Sequence, residues 1–250
     1  MRSLFIVYFL FLNIIFSQTG LEIAKMVDQV DVPIDSQEEL IMILTNKKGK
    51  SRTNKMISKS IDNNQKQIIW FLEPKDDRGV AFLKIEYDVK DDELRMWLPN
   101  FNRIRRIAAT RKGDSFMASD ISYEDLTSRE INDHEYKRLD DDKIKDINSF
   151  VIEVIPRPGS ESSYSKHKTW IDKSNYKVIK EESYDKRSEL RKVKEFSYVK
   201  IKKYFMPKRL FVKDVQKNHT TEIIFDKRII DSGLDENLFQ EKNLKRLPRN

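Results

Sequence analysis

Leu83-Lys84-Ile85-Glu86-Tyr87-Asp88-Val89 alternates apolar and charged side chains at every step. A period of two belongs to a strand, in which successive side chains point to opposite faces, so this stretch predicts a sheet with one apolar and one wet face. Lys90-Asp91-Asp92 then turns the chain into Leu94, Met96 and Leu98, which keep the same period. Upstream, Ile41, Ile43 and Thr45 lead through the turn Lys47-Lys48-Gly49-Lys50 into a second strand around Arg52 to Ser60, and Ile68 to Leu72 is a short apolar run. Downstream, strands are predicted at Phe150–Ile155, Lys168–Ile171, Tyr176–Ser183, Leu190–Lys202, Leu210–Val215 and Thr220–Phe225, divided by polar turns such as Asp172-Lys173-Ser174-Asn175. Roughly ten or eleven strands in a meander predict a large antiparallel sheet or an open barrel.

Two segments depart from that rhythm. Leu21, Ile23, Ala24, Val27 and Val30 recur at three- and four-residue spacing, which predicts one amphipathic helix over residues 21–31, ending before Pro33. Phe116 to Leu139 reads as a long irregular connection holding a short capped helix at Ser122 to Leu126. The sheet's inner face and the first helix are therefore expected to enclose an apolar space, with the irregular segment able to act as a lid.

Leu4 to Phe16 is an apolar run broken by Asn13 and preceded by Arg2, too short to span a bilayer and of the length of a signal-peptide core. Residues 1–17 read as a secretory signal, with cleavage expected between Ser17 and Gln18, and residues 18–250 read as a single domain without linker or repeat. Removing the signal lowers the hydrophobic share from 38% of the chain to about 35% of what remains. That is little for a sandwich filled from two sides and enough for one curved sheet with a charged convex face and an apolar concave face. The missing core volume is expected to be a cavity.

The chain has no cysteine, six glycines and a net charge of +7. Disulfide frameworks, thiolate metal sites and thiol nucleophiles are excluded, and the modest charge permits an anionic partner without requiring one. His134, His167 and His219 lie far apart among polar neighbours and read as solvated loop residues. Gly49-Lys50-Ser51 lacks the first glycine of a phosphate-binding loop, Leu44 standing in its place, and reads as a hairpin turn. Asp140-Asp141-Asp142 reads as a solvated acidic turn, and Asn218-His219-Thr220 as a turn. No hydrolase elbow or zinc-protease motif occurs, so neither enzyme, cofactor nor metal is expected. Arg103, Arg105, Arg106, Arg111 and Lys112 cluster near Trp97 and Phe101, but export argues against nucleic acid. On a strand Arg103 and Arg105 share the wet face, while Arg106 falls with Ile104 and Ala108 on the inner one. There it needs a carboxylate, Asp114, Asp120 or Asp125, or the anionic head of a ligand.

Aromatic and methionine residues concentrate between positions 70 and 117, which fits ordinary core as well as a pocket wall. If a pocket forms, Trp70, Phe82, Leu83, Met96 and Trp97 are the first candidates for its wall. Leu98, Ile104, Arg106, Phe116 and Met117 complete the set.

Several of these residues fall in an ordered series of blocks: Phe71-Leu72-Glu73-Pro74, Arg78-Gly79-Val80-Ala81-Phe82-Leu83, Met96-Trp97-Leu98-Pro99, Arg103-Ile104-Arg105-Arg106-Ile107, Ser115-Phe116-Met117-Ala118-Ser119-Asp120 and Tyr123-Glu124-Asp125-Leu126. With Tyr164, Trp170-Ile171-Asp172 and Met206-Pro207, they resemble the outer-membrane lipoprotein-sorting proteins related to the LolA and LolB carriers. The resemblance runs from about Glu22 to the C-terminus. Ala118 stands where the family usually has glycine, and Ile121 where it usually has phenylalanine.

The resemblance implies a mainly β fold with a few helices, an incomplete antiparallel barrel whose concave apolar face is covered by helices. It implies a periplasmic protein that binds the acyl chains of a lipid or lipoprotein without covalent chemistry. It further implies partnership with a membrane transporter of the resistance-nodulation-division class or an outer-membrane acceptor. The second reading is an accessory subunit of such a transporter with no lipid cargo of its own.

Overall fold

The computed structural model describes residues 18–248, so the expected signal at 1–17 lies outside the described residues. Thirteen strands form one antiparallel sheet: β1 Asp35–Thr45, β2 Ser51–Ile61, β3 Lys66–Glu73, β4 Ala81–Ile85, β5 Glu93–Leu98, β6 Arg103–Arg106, β7 His134–Ile144, β8 Ile147–Pro156, β9 Lys166–Asp172, β10 Val178–Tyr184, β11 Leu190–Ile201, β12 Tyr204–Asp214 and β13 His219–Ile230. Their order is β6-β5-β4-β3-β2-β1-β13-β12-β11-β10-β9-β8-β7. Two meanders, β1–β6 and β7–β13, are joined where β13 returns to pair with β1, from Thr45 opposite Thr220 to Ser36 opposite Ile230. Strands β6 and β7 remain the two edges, so the barrel is open.

This order forces the lid. The chain leaves β6 at one edge and re-enters at β7 on the other, so residues 107–133 must cross the open face between them. They do so as bends and single 3-10 turns at Ala109–Arg111, Phe116–Ala118, Glu124–Leu126 and Ile131–Asp133. The one α-helix among the described residues, α1 (Gly20–Asp28), starts on a capping box in which the Thr19 hydroxyl accepts from the Glu22 amide and the Glu22 carboxylate accepts from the Thr19 amide. It buries Ile23 and Ala24 against Ile152, Val154 and Ile171 of β8 and β9. The cover is thus one helix plus an irregular strap, where several helices were implied. Register shifts at Glu38/Leu40, Lys55/Met56 and Ser197/Tyr198 add the local bending that curls a sheet.

Thirteen strands exceed the expected ten or eleven because two escape the alternation, the four-residue β6 and the long β7. The β7 sequence, HEYKRLDDDKI, has no apolar face to signal a strand, as befits a charged edge. Asp140-Asp141-Asp142 lies within this strand and not in a turn; Asp141 pairs with Lys173 and Arg138, and Asp142 accepts from the Trp170 indole at 2.8 Å.

The stretch Leu83 to Val89 is a strand only as far as Ile85, and its faces are the reverse of those expected. Leu83 lies on the outer face with Trp70 and Trp97, beneath Phe239 and Leu244 of the C-terminal segment. Asp35 positions that segment by accepting from the Ser232, Gly233 and Leu234 amides at 3.0, 2.7 and 3.2 Å. Lys84, although charged, is fully buried on the inner face, donating to Glu86 at 3.1 Å and to the Leu126 carbonyl at 2.9 Å. Both faces of β3 and β4 are therefore core, and the convex side is not the uniformly charged surface predicted.

Candidate functional site

Between α1, the strap and the inner face of the sheet lies a cavity of about 560 Å³. Ala24 and Val27 wall it from α1, Ile121 and Leu126 from the strap, and Val212 and Ile223 from β12 and β13. Asp28, Val32 and Asn63 line it yet are exposed, so it opens to solvent between the α1–β1 connection and the β2–β3 turn.

Of the residues expected to wall a pocket, Phe116 lines this cavity. Phe82 and Met96 pack behind it in the inner core, Phe82 meeting Phe116 edge-on at 5.3 Å, with Leu98 and Met117 half-buried against the same cluster. Trp70, Leu83, Trp97 and Ile104 belong to the opposite face, where the Trp70 indole donates to the Asn243 carbonyl at 3.4 Å. Arg106 is exposed. Register explains the difference: Arg105 and the buried Ile107 share the inner face, whereas Ile104 and Arg106 share the outer one. The carboxylates expected to hold Arg106 are engaged elsewhere, Asp114 by Arg111 at 2.6 Å, Asp120 by His219 at 2.7 Å and Asp125 by two lysines.

One end of the cavity is charged. Glu181 on β10 accepts from both terminal nitrogens of Arg129 at 2.6 and 2.7 Å, from Lys194 at 3.0 Å and from Thr169 at 3.1 Å. Asp125, from the strap, accepts from Lys192 at 2.8 Å, from the Ser122 hydroxyl at 2.7 Å and from Lys194. Burial opposes both negative charges, but Lys194 and Lys192 outweigh it at Asp125, and Arg129 and Lys194 do so at Glu181. Both carboxyls are held well below the usual range.

His167 belongs to this network and is 1% exposed, not a solvated loop residue. Its Nδ1 accepts from Ser183 at 2.8 Å and faces an Arg129 nitrogen at 3.4 Å; arginine can only donate, which assigns the proton of the ring to Nε2. Burial, aided by the Arg129 charge, holds the imidazole well below its ordinary value, so it is neutral.

These bonds fasten the strap to the sheet at several points. Asp125 and Arg129 reach β10 and β11, Leu126 accepts from Lys84, and Ser128 donates to Glu86 at 2.6 and 2.8 Å. Near its start, the Asp120 amide donates to Thr221 Oγ1 at 2.9 Å, and that hydroxyl donates back to the Asp120 carboxylate at 2.7 Å. Sequence reasoning missed this network because Lys192 and Lys194 alternate with Val193 as a wet face would. The available signal was the pair Asp125 and Arg129, opposite charges close together in the segment identified as the lid.

Among the described residues no helix is long and apolar enough to cross a membrane. A family whose description is that of an uncharacterized protein matches residues 63–246. No curated protein matches the chain. A domain described as that of an outer membrane lipoprotein-sorting protein, from Vibrio parahaemolyticus, is 33% identical over 91% of this chain and 98% of its own, with a TM-score of 0.85. A DUF1329 family protein from Desulfovibrio piger is 27% identical over 90% of this chain and 97% of its own, with a TM-score of 0.84. A LolA superfamily protein from Nitrosomonas europaea shares the fold at 19% identity and a TM-score of 0.71, over 90% of this chain and 99% of its own. The chain belongs to the outer-membrane lipoprotein-sorting protein family, with the open antiparallel sheet of the LolA superfamily.

Proposed function

We propose that the chain is an exported, periplasmic carrier that binds acyl chains of a lipid or lipoprotein in its cavity, without covalent chemistry, in outer-membrane lipoprotein sorting or lipid transport. The observation that carries this reading is the 560 Å³ space walled by aliphatic side chains from three directions. Apolar burial contributes about 0.8 kcal/mol per methylene, so fifteen methylenes contribute roughly 12 kcal/mol. After several kcal/mol for lost translational and side-chain freedom, affinity remains in the micromolar range or tighter. Release then requires the strap or α1 to move, or an acceptor to compete.

Export is supported by the apolar run Leu4 to Phe16, and the single domain at 18–250 by the continuous sheet. The test is mass spectrometry of molecules that co-purify from the native envelope, together with titration of a fluorescent fatty-acyl probe. Lipid in the preparation and saturable probe binding support the carrier. An empty protein that fails to bind the probe, yet crosslinks to one envelope transporter, would favour the accessory-subunit reading instead. That alternative draws on the charged end of the cavity, which the protein fills with its own side chains.

A further inference from the structure

We propose that the cavity takes a single-chain amphiphile with an anionic head group, and that Lys177 at its open end pairs with that head. The inference rests on the carrier reading and adds the ligand's charge and the residue that recognises it.

Among the described residues three cations line the cavity: Arg129, Lys177 and Lys194. Glu181 occupies Arg129, and Asp125 and Glu181 occupy Lys194. Lys177, in the β9–β10 connection, has no ion pair and no side-chain hydrogen bond among the described residues; its ammonium lies 6.0 Å from the centre of the Tyr198 ring. It is half-buried, and burial alone lowers its affinity for a proton, with no carboxylate opposing. A half-desolvated ammonium facing an apolar space is unfavourable until an anion reaches it.

The surroundings leave that role open. Of the carboxylates that line the cavity, Glu38 is taken by Arg228, Glu124 by Ser162 and Ser163, and Asp125 and Glu181 by the deep cluster. Asp28 lies on the exposed last turn of α1. Lys177, Val32 and Asn63 sit at the same end of the sheet, because the β9–β10 and β2–β3 turns and the entry to β1 coincide there in the antiparallel register. A head group held by Lys177 would remain at the mouth while its chain runs toward Ile121 and Val212. At about 30 Å³ for each water-sized group, the volume accommodates on the order of eighteen methylenes, the size of one long chain.

The test is calorimetric titration of the full-length processed protein with palmitate, palmitoyl lysophosphatidate and hexadecanol, which carry a carboxylate, a phosphate and a neutral head. Wild type is expected to bind at least one anion about tenfold more tightly than the alcohol, and the ratio between the two anions identifies the head group. Lys177→Gln is expected to abolish that preference while leaving hexadecanol affinity within twofold, and Lys177→Arg to restore it. Equal affinity for all three in wild type, or a preference that survives Lys177→Gln, would overturn the assignment while leaving the carrier intact. Binding of none of the three would overturn the carrier reading itself.

Discussion

Glu181→Gln is nearly isosteric but removes the charge that faces both Arg129 and Lys194. Glu181 and Lys194 side chains are 5% and 6% exposed, so water cannot replace the lost carboxylate. Removing one partner of a buried ion pair destabilises by about 3–5 kcal/mol, because the remaining charge stays desolvated. In a domain of this size each kcal/mol lowers Tm by about 2–4 °C, so the expected loss is about 6–20 °C. Urea unfolding followed by circular dichroism should show the same loss as a lower midpoint with an unchanged slope. The double variant Glu181→Gln/Arg129→Met also removes the guanidinium left without a carboxylate, while Lys194 keeps Asp125, and should recover more than about 1 kcal/mol of the loss. A single-variant loss below about 1 kcal/mol, the range of exposed pairs, would refute the argument by showing the network to be hydrated.

Three further outcomes are expected. His167, whose folded-state affinity for protons is depressed, stays neutral while the unfolded chain protonates below about pH 6.5, so stability present above that pH falls by about 1.4 kcal/mol per unit on acidification; urea titrations at pH 7, 6 and 5 should show that slope, and His167→Gln should remove it. A Cβ at Gly20 would sit 2.9 Å from backbone atoms of Tyr136, Lys137 and Arg138, so Gly20→Ala should loosen α1 from the β7 edge at a cost of about 1–3 kcal/mol and raise anilinonaphthalene sulfonate fluorescence. Phe239→Ala should uncover Trp70 and Trp97, red-shifting tryptophan emission and costing about 3–5 kcal/mol by urea unfolding.

The strand rhythm was legible in sequence because alternation sets the period, and α1 because its apolar stripe repeats at helical spacing. What alternation cannot say is which of two faces looks inward. At β4 alternation assigns Lys84 to solvent, and at β11 Lys192 and Lys194 alternate in the same way, whereas the sheet turns all three into the interior, where Glu86 two residues on, Glu181 on the neighbouring strand and Asp125 from the strap meet them. Two-sided burial at β3 and β4 depends on a C-terminal segment more than 150 residues away. The same ambiguity placed Trp70, Leu83 and Trp97 among the cavity candidates. Strand β7 was illegible because it is charged on both faces, and the strap was recognisable as irregular although its ion-pair anchors were not. The cavity itself was anticipated from the low apolar fraction and the single curved sheet, but most of its wall, including Val212 and Ile223, lies outside the aromatic-rich region that drew attention.

Filling the cavity tests the central claim most directly. Ile223→Trp adds an indole to a wall residue facing open space, so the fold should persist while the volume available to an acyl chain shrinks. Titration of both proteins with the same fluorescent fatty-acyl probe is expected to give one saturable site in wild type and at least a tenfold weaker one in the folded variant. Equal affinity in the two proteins, or no saturable binding by wild type, would contradict a carrier that works through this cavity.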